Sequence, residues 1–337
     1  MKERGTRVQQ ARSTELGVLT PAWGSALNAG TAGRKGVRME VFIGLDGGGS
    51  GCRAQAMLAD GRHGPVLHGG AANLVSDPDG ARREVSALLE RCAESARALD
   101  AAAAGDPAQV VLGLAGAAEA EAGATGWLRA GLPFARVTVL GDVEIALRGA
   151  FEGGDGIVVA VGTGSVVASL RGGRVRRLGG HGFVLGDEGS GAWMGREALR
   201  RSLHAGDGLG PRGLLVDRVL ARFGTPGAMI AFAAGARPAG FAALAPLVME
   251  AEGAGCPVAT AIVDEGCGWL TRAIMRLQTE APDQAVAALG GLGPVLLARI
   301  QRRHGARIRA VAPRGTALDG ALWLARHPAL LREGAAP

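Results

Sequence analysis

Several short stretches of this 337-residue chain combine carboxylates, hydroxyls and glycines in patterns that chemistry can use. Asp46 ends the apolar run Val41-Phe42-Ile43-Gly44-Leu45 and is followed by Gly47-Gly48-Gly49-Ser50-Gly51. Asp142 follows the run Val137-Thr138-Val139-Leu140 after one glycine, where the site of an α/β protein usually opens. Gly162-Thr163-Gly164-Ser165 divides a second pair of apolar runs, and Asp187-Glu188 stands among the glycines between Gly179 and Gly191. Glycine takes positive φ without steric cost, so a glycine turn alone is ordinary hairpin chemistry. A carboxylate at the end of a buried strand is different: it is costly unless it is solvated or holds a cation. Two Gly/Ser/Thr turns facing each other would present backbone N–H groups to a polyphosphate from two sides. A carboxylate beside them could hold Mg²⁺, directly or through water. Lys2 and Lys35 are the only lysines, so no P-loop lysine and no Schiff-base lysine exists beyond residue 35. Tyrosine is absent, so none can act as a general acid.

These residues need elements to hold them. Val41 to Leu45 and Arg53 to Leu58 read as two strands joined by the first glycine turn, a β-hairpin. The spacing of Val85, Leu88, Leu89 and Cys92 predicts a helix over 79–104. Val110 to Leu114 and Val137 to Leu140 read as buried strands, with a helical stretch around 117–130 between them. A second hairpin is predicted from Ile157–Val161 and Val166–Leu170, its glycine turn starting 115 residues after the first, and Arg171 to Arg174 turns the chain again. Helices are predicted at 191–204, 212–223, 226–236, 240–253, 256–280 and 293–304. Short strands fall at 285–289 and 308–311, and a last helix at 317–326. Strands mixed with helices in this way make α/β layers. Every candidate residue also has a plainer structural reading. Asp142 could cap a helix over 143–150, Asp187 and Glu188 precede a helix, and Asn73 could serve a turn.

Length argues for two domains or one large one. With 47% hydrophobic and 20% charged residues the chain can build a core, and it is too apolar for a disordered chain. No run reaches the length of a membrane span. The net charge of +6 is concentrated at the start: residues 1–38 hold seven basic residues against Glu3 and Glu15, leaving +1 for the remainder. The body therefore lacks the basic face that nucleic-acid binding needs. The tail has no apolar segment of a secretory signal; it is expected to be poorly ordered to about residue 39, with Met39 as a natural start. Cys52, Cys92, Cys256 and Cys267 have neither zinc nor iron–sulfur spacing and read as reduced thiols of a cytoplasmic protein.

Taken together, Leu45 to Arg53, Ala72-Asn73-Leu74, Gly141-Asp142, Val161 to Ser165, Gly179 to Gly191 and Leu289 to Gly293 resemble the BadF/BcrA-type ATPase family. That family lies within the actin/hexokinase/Hsp70 superfamily and contains glucosamine and N-acetylglucosamine kinases. The resemblance covers about residues 40–330. It implies two ribonuclease-H-like α/β domains, 40–142 and 143–337, around a central cleft, the second richer in helices and its last helix able to return to the first. It implies ATP and Mg²⁺ and an amino sugar phosphorylated at its 6-hydroxyl, glucosamine first and N-acetylglucosamine as the alternative. No nucleic acid or membrane partner follows from it, and a homodimer is left open.

Carried over by residue, Asp46 resembles the Mg²⁺-organising carboxylate, Gly48, Gly49 and Ser50 the first phosphate loop, and Thr163 and Gly164 the second. Gly290 and Gly291 resemble the turn against adenosine. Asp142 resembles the general base, and Asn73, Ser165, Gly180, His181, Gly182, Asp187 and Glu188 line the sugar pocket with it. His181 departs from the family pattern, which has Trp there. Two rivals exist: an ATPase that activates a partner dehydratase, which needs cysteines at a dimer interface, and a non-catalytic sugar sensor.

Overall fold

The computed structural model describes residues 39–103, 107–117 and 122–333; the expected tail lies outside the described residues. β1 (Val41–Gly47) and β2 (Cys52–Leu58) form the first hairpin, extended by β3 (Leu67–Gly69). Helix α1 (Pro78–Leu99) leads to β4 (Gln109–Leu114), and α2 (Ala122–Ala130) to β5 (Val137–Gly141). The order is β3-β2-β1-β4-β5, antiparallel through the hairpin and parallel from β1 to β5.

Helix α3 (Asp142–Phe151) leaves this sheet, and the same scheme then repeats. β6 (Gly156–Val161), β7 (Ser165–Arg171) and β8 (Arg174–Gly179) form an antiparallel meander. A helical insertion follows: α4 (Gly191–Gly206), α5 (Leu214–Phe223), α6 (Pro226–Gly235), α7 (Pro238–Ala242), α8 (Ala245–Gly253) and α9 (Pro257–Gln278). Then come β9 (Val286–Leu289), α10 (Gly293–His304), β10 (Ala310–Val311), α11 (Ala317–Arg326) and α12 (Leu330–Glu333). The second sheet runs β10-β9-β6-β7-β8, with β9 parallel to both β6 and β10. Both sheets thus have one connectivity, and the repeat of pattern in the sequence is a repeat of fold.

Several elements depart from the sequence expectation. The helix from 79 stops at Leu99, capped by Asp100, and residues 101–103 turn as a 3-10 segment. Of the helix expected around 117–130, residues 122–130 are helical, residue 117 is in a turn, and 118–121 lie outside the described residues. The helix expected over 240–253 is two: Pro246 has no N–H to donate to the Ala242 carbonyl, so α7 ends there and α8 starts afresh with Pro246 in its first turn. β3 and β8 are strands not foreseen: β3 is three residues long, and the arginines of β8 hide its alternation.

Helices cover both faces of each sheet. α1 closes one face of the first sheet through Val85, Leu88, Leu89 and Cys92. α11 closes the other, where Ala321, Leu324 and Ala325 pack with Val111 and Phe42. On the second sheet, α4 and α9 close one face, and α3 closes the other through Val143, Leu147 and Ala150. α3 and α11 therefore lie between the sheets. They cross in backbone contact: a Cβ at Gly149 would collide with the Thr316 carbonyl, and one at Gly320 with the Ile145 carbonyl. Helix axes can approach this closely only where side chains are missing. Gly320→Ala is expected to destabilise the fold by about 2 kcal/mol, within the range for overpacked interiors. A urea titration checks it, and an unchanged midpoint would mean that the crossing is not tight.

Candidate functional site

The first glycine turn is held by the strands around it. Gly48 donates to the Gly51 carbonyl at 2.9 Å, closing the hairpin loop. Ala115 donates to the Gly47 carbonyl (2.8 Å) and Ala72 to the Gly48 carbonyl (2.9 Å). The 72–74 segment is thereby tied to the C-terminal ends of β1 and β4, beside the loop. Asn73 Oδ1 accepts from Val75 N (2.9 Å) and Ser76 N (3.0 Å). Its turn role is therefore real, and the Nδ2 end of the amide is what it can offer a ligand.

Asp46 faces Arg53 directly across the hairpin register. Arg53 Nε (3.0 Å) and Nη2 (2.9 Å) both donate to Asp46 Oδ2. Burial pushes the Asp46 carboxyl above its ordinary pKa, and the Arg53 charge and hydrogen bond oppose that shift. Sequence reasoning missed Arg53. Its signal was available: a hairpin turning through Gly48–Gly51 pairs residue 46 with residue 53.

Asp142 is the first residue of α3, directly after β5. The helix N-cap is Gly141, with no side-chain capping bond, so Asp142 is not the cap that its residue type allowed. Its Oδ1 accepts from Val143 N at 2.9 Å. α3 fixes its place from both sides, since Val143 packs in the cluster of the second sheet and Ile145 in that of the first.

The second glycine turn is built into the start of α4. Gly162 N donates to Gly164 O (2.9 Å), Gly191 N to Gly162 O (2.8 Å) and Ala192 N to Thr163 O (3.1 Å). Ser165 makes two further links. Its N–H donates to Asp187 Oδ1 (3.3 Å) and its Oγ to the Glu188 carbonyl (2.9 Å). Ser190 caps α4 by accepting from Trp193 N at 3.1 Å, so neither Asp187 nor Glu188 is the cap. Asp187 is 7% exposed and sits at φ 63°, a left-handed conformation that Asp tolerates better than most residues but that still costs free energy. Burial pushes its carboxyl up; the Ser165 N–H opposes this and Glu188 adds to it. Gly180 N donates to Ser165 O (3.1 Å), and Gly186 N to Gly182 O (2.9 Å). His181 and Gly182 are exposed on this loop, and Glu188 is half-buried. Gly290, at φ 78°, abuts the end of β6, where Leu292 N donates to Val161 O at 3.1 Å.

Two groups of predicted residues thus form, at the C-terminal strand ends of the two sheets. Asp46, Gly48, Gly49, Ser50 and Asn73 make the first. Thr163, Gly164, Ser165, Gly180, His181, Gly182, Asp187, Glu188, Gly290 and Gly291 make the second, and α3 runs from the first sheet toward the second with Asp142 at its head. Three glycines at these turns have no steric reason within the protein, a property shared by Gly123, Gly126, Gly206, Gly235 and Gly253 in helices elsewhere. A Cβ on Gly49, Gly162 or Gly291 would meet nothing within 4 Å, and none of the three has positive φ. Open space above a backbone turn, on each side, fits a ligand that must approach the main chain closely.

Residues 43–293 match the BadF/BadG/BcrA/BcrD ATPase family. The chain belongs to that family. It is 28% identical over 294 residues to the glucosamine kinase GspK of Vibrio cholerae, covering 86% of this chain and 97% of that protein. A candidate N-acetylglucosamine kinase of Chromobacterium violaceum is 33% identical and superposes with TM-score 0.73, covering 86% of this chain and all of that one. A ROK family glucokinase of Streptomyces griseus, solved with glucose and AMPPNP, shares the fold at TM-score 0.54 and 19% identity, over 85% of this chain and 99% of that one. The fold of this family member is the two-sheet α/β fold of actin-like ATPases and ROK kinases. Among the described residues no helix is long and apolar enough to cross a membrane.

Asp187→Asn keeps an acceptor for the Ser165 N–H and removes a buried charge. The variant is expected to be at least as stable as the parent near pH 7. A carboxyl with a raised folded-state pKa binds its proton more readily folded than unfolded, so the parent gains stability as pH falls toward the ordinary value of 3.8 and the difference closes. Urea midpoints of both proteins across that range check this. A variant clearly less stable at neutral pH would mean that contacts of the carboxylate outweigh its burial.

Proposed function

We propose that this protein is an ATP-dependent amino-sugar kinase that phosphorylates the 6-hydroxyl of glucosamine. The observation that carries the reading is the pair of open glycine turns on the two sheets, with a carboxylate at the head of the helix between them. On this reading Gly48, Gly49 and Ser50 on one side, and Thr163 and Gly164 on the other, hold the phosphates. Gly290 and Gly291 border the adenosine, and residues 40–142 and 143–337 act as two domains around the cleft. Asn73, Ser165, Gly180, His181, Gly182, Asp187 and Glu188 hold the sugar.

The chemistry asked of these residues is modest. The sugar hydroxyl oxygen bonds to the γ-phosphorus as the bond to the ADP oxygen breaks, and Asp142 takes the hydroxyl proton. Asp46 would hold Mg²⁺: its carboxylate stands beside the open first loop, and Arg53 engages only Oδ2. Bound there, Mg²⁺ supplies positive charge against the phosphate oxygens. Backbone N–H groups of the two turns stabilise the same charge without reorganising. Asp187 is anchored on Ser165, so it can hold a sugar hydroxyl in fixed orientation. The family relationship to a glucosamine kinase supports the free amine, and the resemblance to an N-acetylglucosamine kinase keeps the acetylated sugar as the alternative.

The rival role as a dehydratase activator needs cysteines able to meet at an interface. All four cysteines of the chain are buried.

A coupled ADP-release assay with Mg-ATP against glucosamine, N-acetylglucosamine, glucose and no sugar tests the proposal. Strong release with one amino sugar and little without is expected; release indifferent to sugar would overturn it. Asp142→Asn is expected to keep sugar binding and lose turnover by about 10²- to 10⁴-fold, the usual contribution of a general base. Retention of a tenth of kcat would remove Asp142 from that role. Gly49→Ala is expected to leave stability unchanged or raise it by up to ~1 kcal/mol, because a Gly→Ala change at a compatible site constrains the unfolded chain. Calorimetric titration with AMPPNP should nevertheless show weaker binding, and unchanged affinity would mean that the loop does not contact the nucleotide.

A further inference from the structure

The reading of Asp142 as proton acceptor leaves open what aims its carboxylate, and β8 carries a candidate. Arg177 pairs across the ladder with Ala168. Cross-strand partners project from the same face, and Ala168 packs in one cluster with Val143, Leu147 and Ala150 of α3. Arg177 therefore lies on the face that α3 covers.

Its position along that face is also fixed. The far end of α3 sits at the start of β6, where a Cβ on Gly156 would strike the Phe151 ring. The head of α3, with Asp142 and Val143, accordingly lies toward the other end of the sheet, where β8 runs into Gly179 and Gly180. The Arg177 side chain points that way: its Cδ lies 3.8 Å from where a Cβ on Gly180 would stand. A guanidinium on this course reaches the space between the Gly180 turn and the first turn of α3. With no lysine beyond Lys35, arginine is the only permanently charged cation the folded body can place there.

We infer that Arg177 pairs with Asp142 and is a positioning residue for it, rather than a group that touches substrate. A planar guanidinium fixes both the direction and the ionised state of a carboxylate, which a flexible ammonium does less well. The pair would also join the base, which follows the first sheet, to the Gly180–Gly182 turn of the second, so that base and sugar pocket move as one piece.

Two double-mutant cycles with Arg177→Gln and Asp142→Asn test this, with Arg177→Lys as the conservative control. In the first, urea midpoints read the pairing without reference to activity. Contacting residues are non-additive, so the two single losses should exceed that of the double variant. Additive losses would overturn the pairing. In the second, kcat and KM are read with the preferred amino sugar. Arg177→Gln should lower kcat on the order of 10–100-fold, as a misaimed group does, with KM for ATP little changed and Arg177→Lys intermediate. In the Asp142→Asn background the same change should cost nothing further. An equal loss in that background would show that Arg177 acts elsewhere. If Asp142→Asn itself keeps full turnover, the base reading fails, and a non-additive stability cycle still upholds the pair.

Discussion

Two glycines set the plan of this protein. Gly149 of α3 and Gly320 of α11 let two helices touch along their backbones, and each helix is spoken for on its other side by a different sheet. α11 carries Leu322 against Gly44 of β1, where even a methyl group would stand 2.9 Å from the leucine. α3 carries Val143 and Leu147 against the second sheet. Every layer in the order sheet, helix, helix, sheet is therefore fixed by its neighbour, and none of the four can thicken without displacing the rest. Asp142 gains its place from this stack. Among the described residues, it begins the one helix with core contacts to both sheets.

The second constraint is electrostatic. Asp46 and Asp187 are both drawn out of water, and their environments answer that in different ways. Asp46 is offset by a full charge, Arg53, set opposite it by the hairpin register. Asp187 has a single backbone N–H from Ser165 and a second carboxylate, Glu188, nearby, with only the smaller charge effects of His181 and Arg196 opposing its burial and no ion pair among the described residues. A carboxylate kept in a left-handed conformation with so little compensation is a departure from what folding alone would select, and such departures gather at functional sites.

Much of this was legible in the residues. The two hairpins announced themselves because apolar runs stop abruptly at glycine, and the long helices because Val85, Leu88, Leu89 and Cys92 keep a helical period. The glycine turns and Asp142 after its strand were singled out by residue type and order, and the Asp187 loop by the family resemblance. What escaped was whatever depends on pairing. Arg53 became the partner of Asp46 only through register, and β8 was hidden because its arginines replace the apolar half of the alternation. The break before Pro246 was in the sequence but lay inside an alanine-rich run that hides helix ends. Whether Asp142 caps α3 could not be read from type at all, since Gly141 takes that place through its backbone alone.

The open glycines carry a thermodynamic consequence. A glycine at an ordinary backbone angle gives the unfolded chain freedom that the native state must remove, and nothing in the packing at Gly49, Gly162 or Gly291 recovers it. The protein is thus held below the stability its own fold would permit at these turns. A ligand that filled those turns would bind the folded chain alone, so occupancy and folding would be linked quantities.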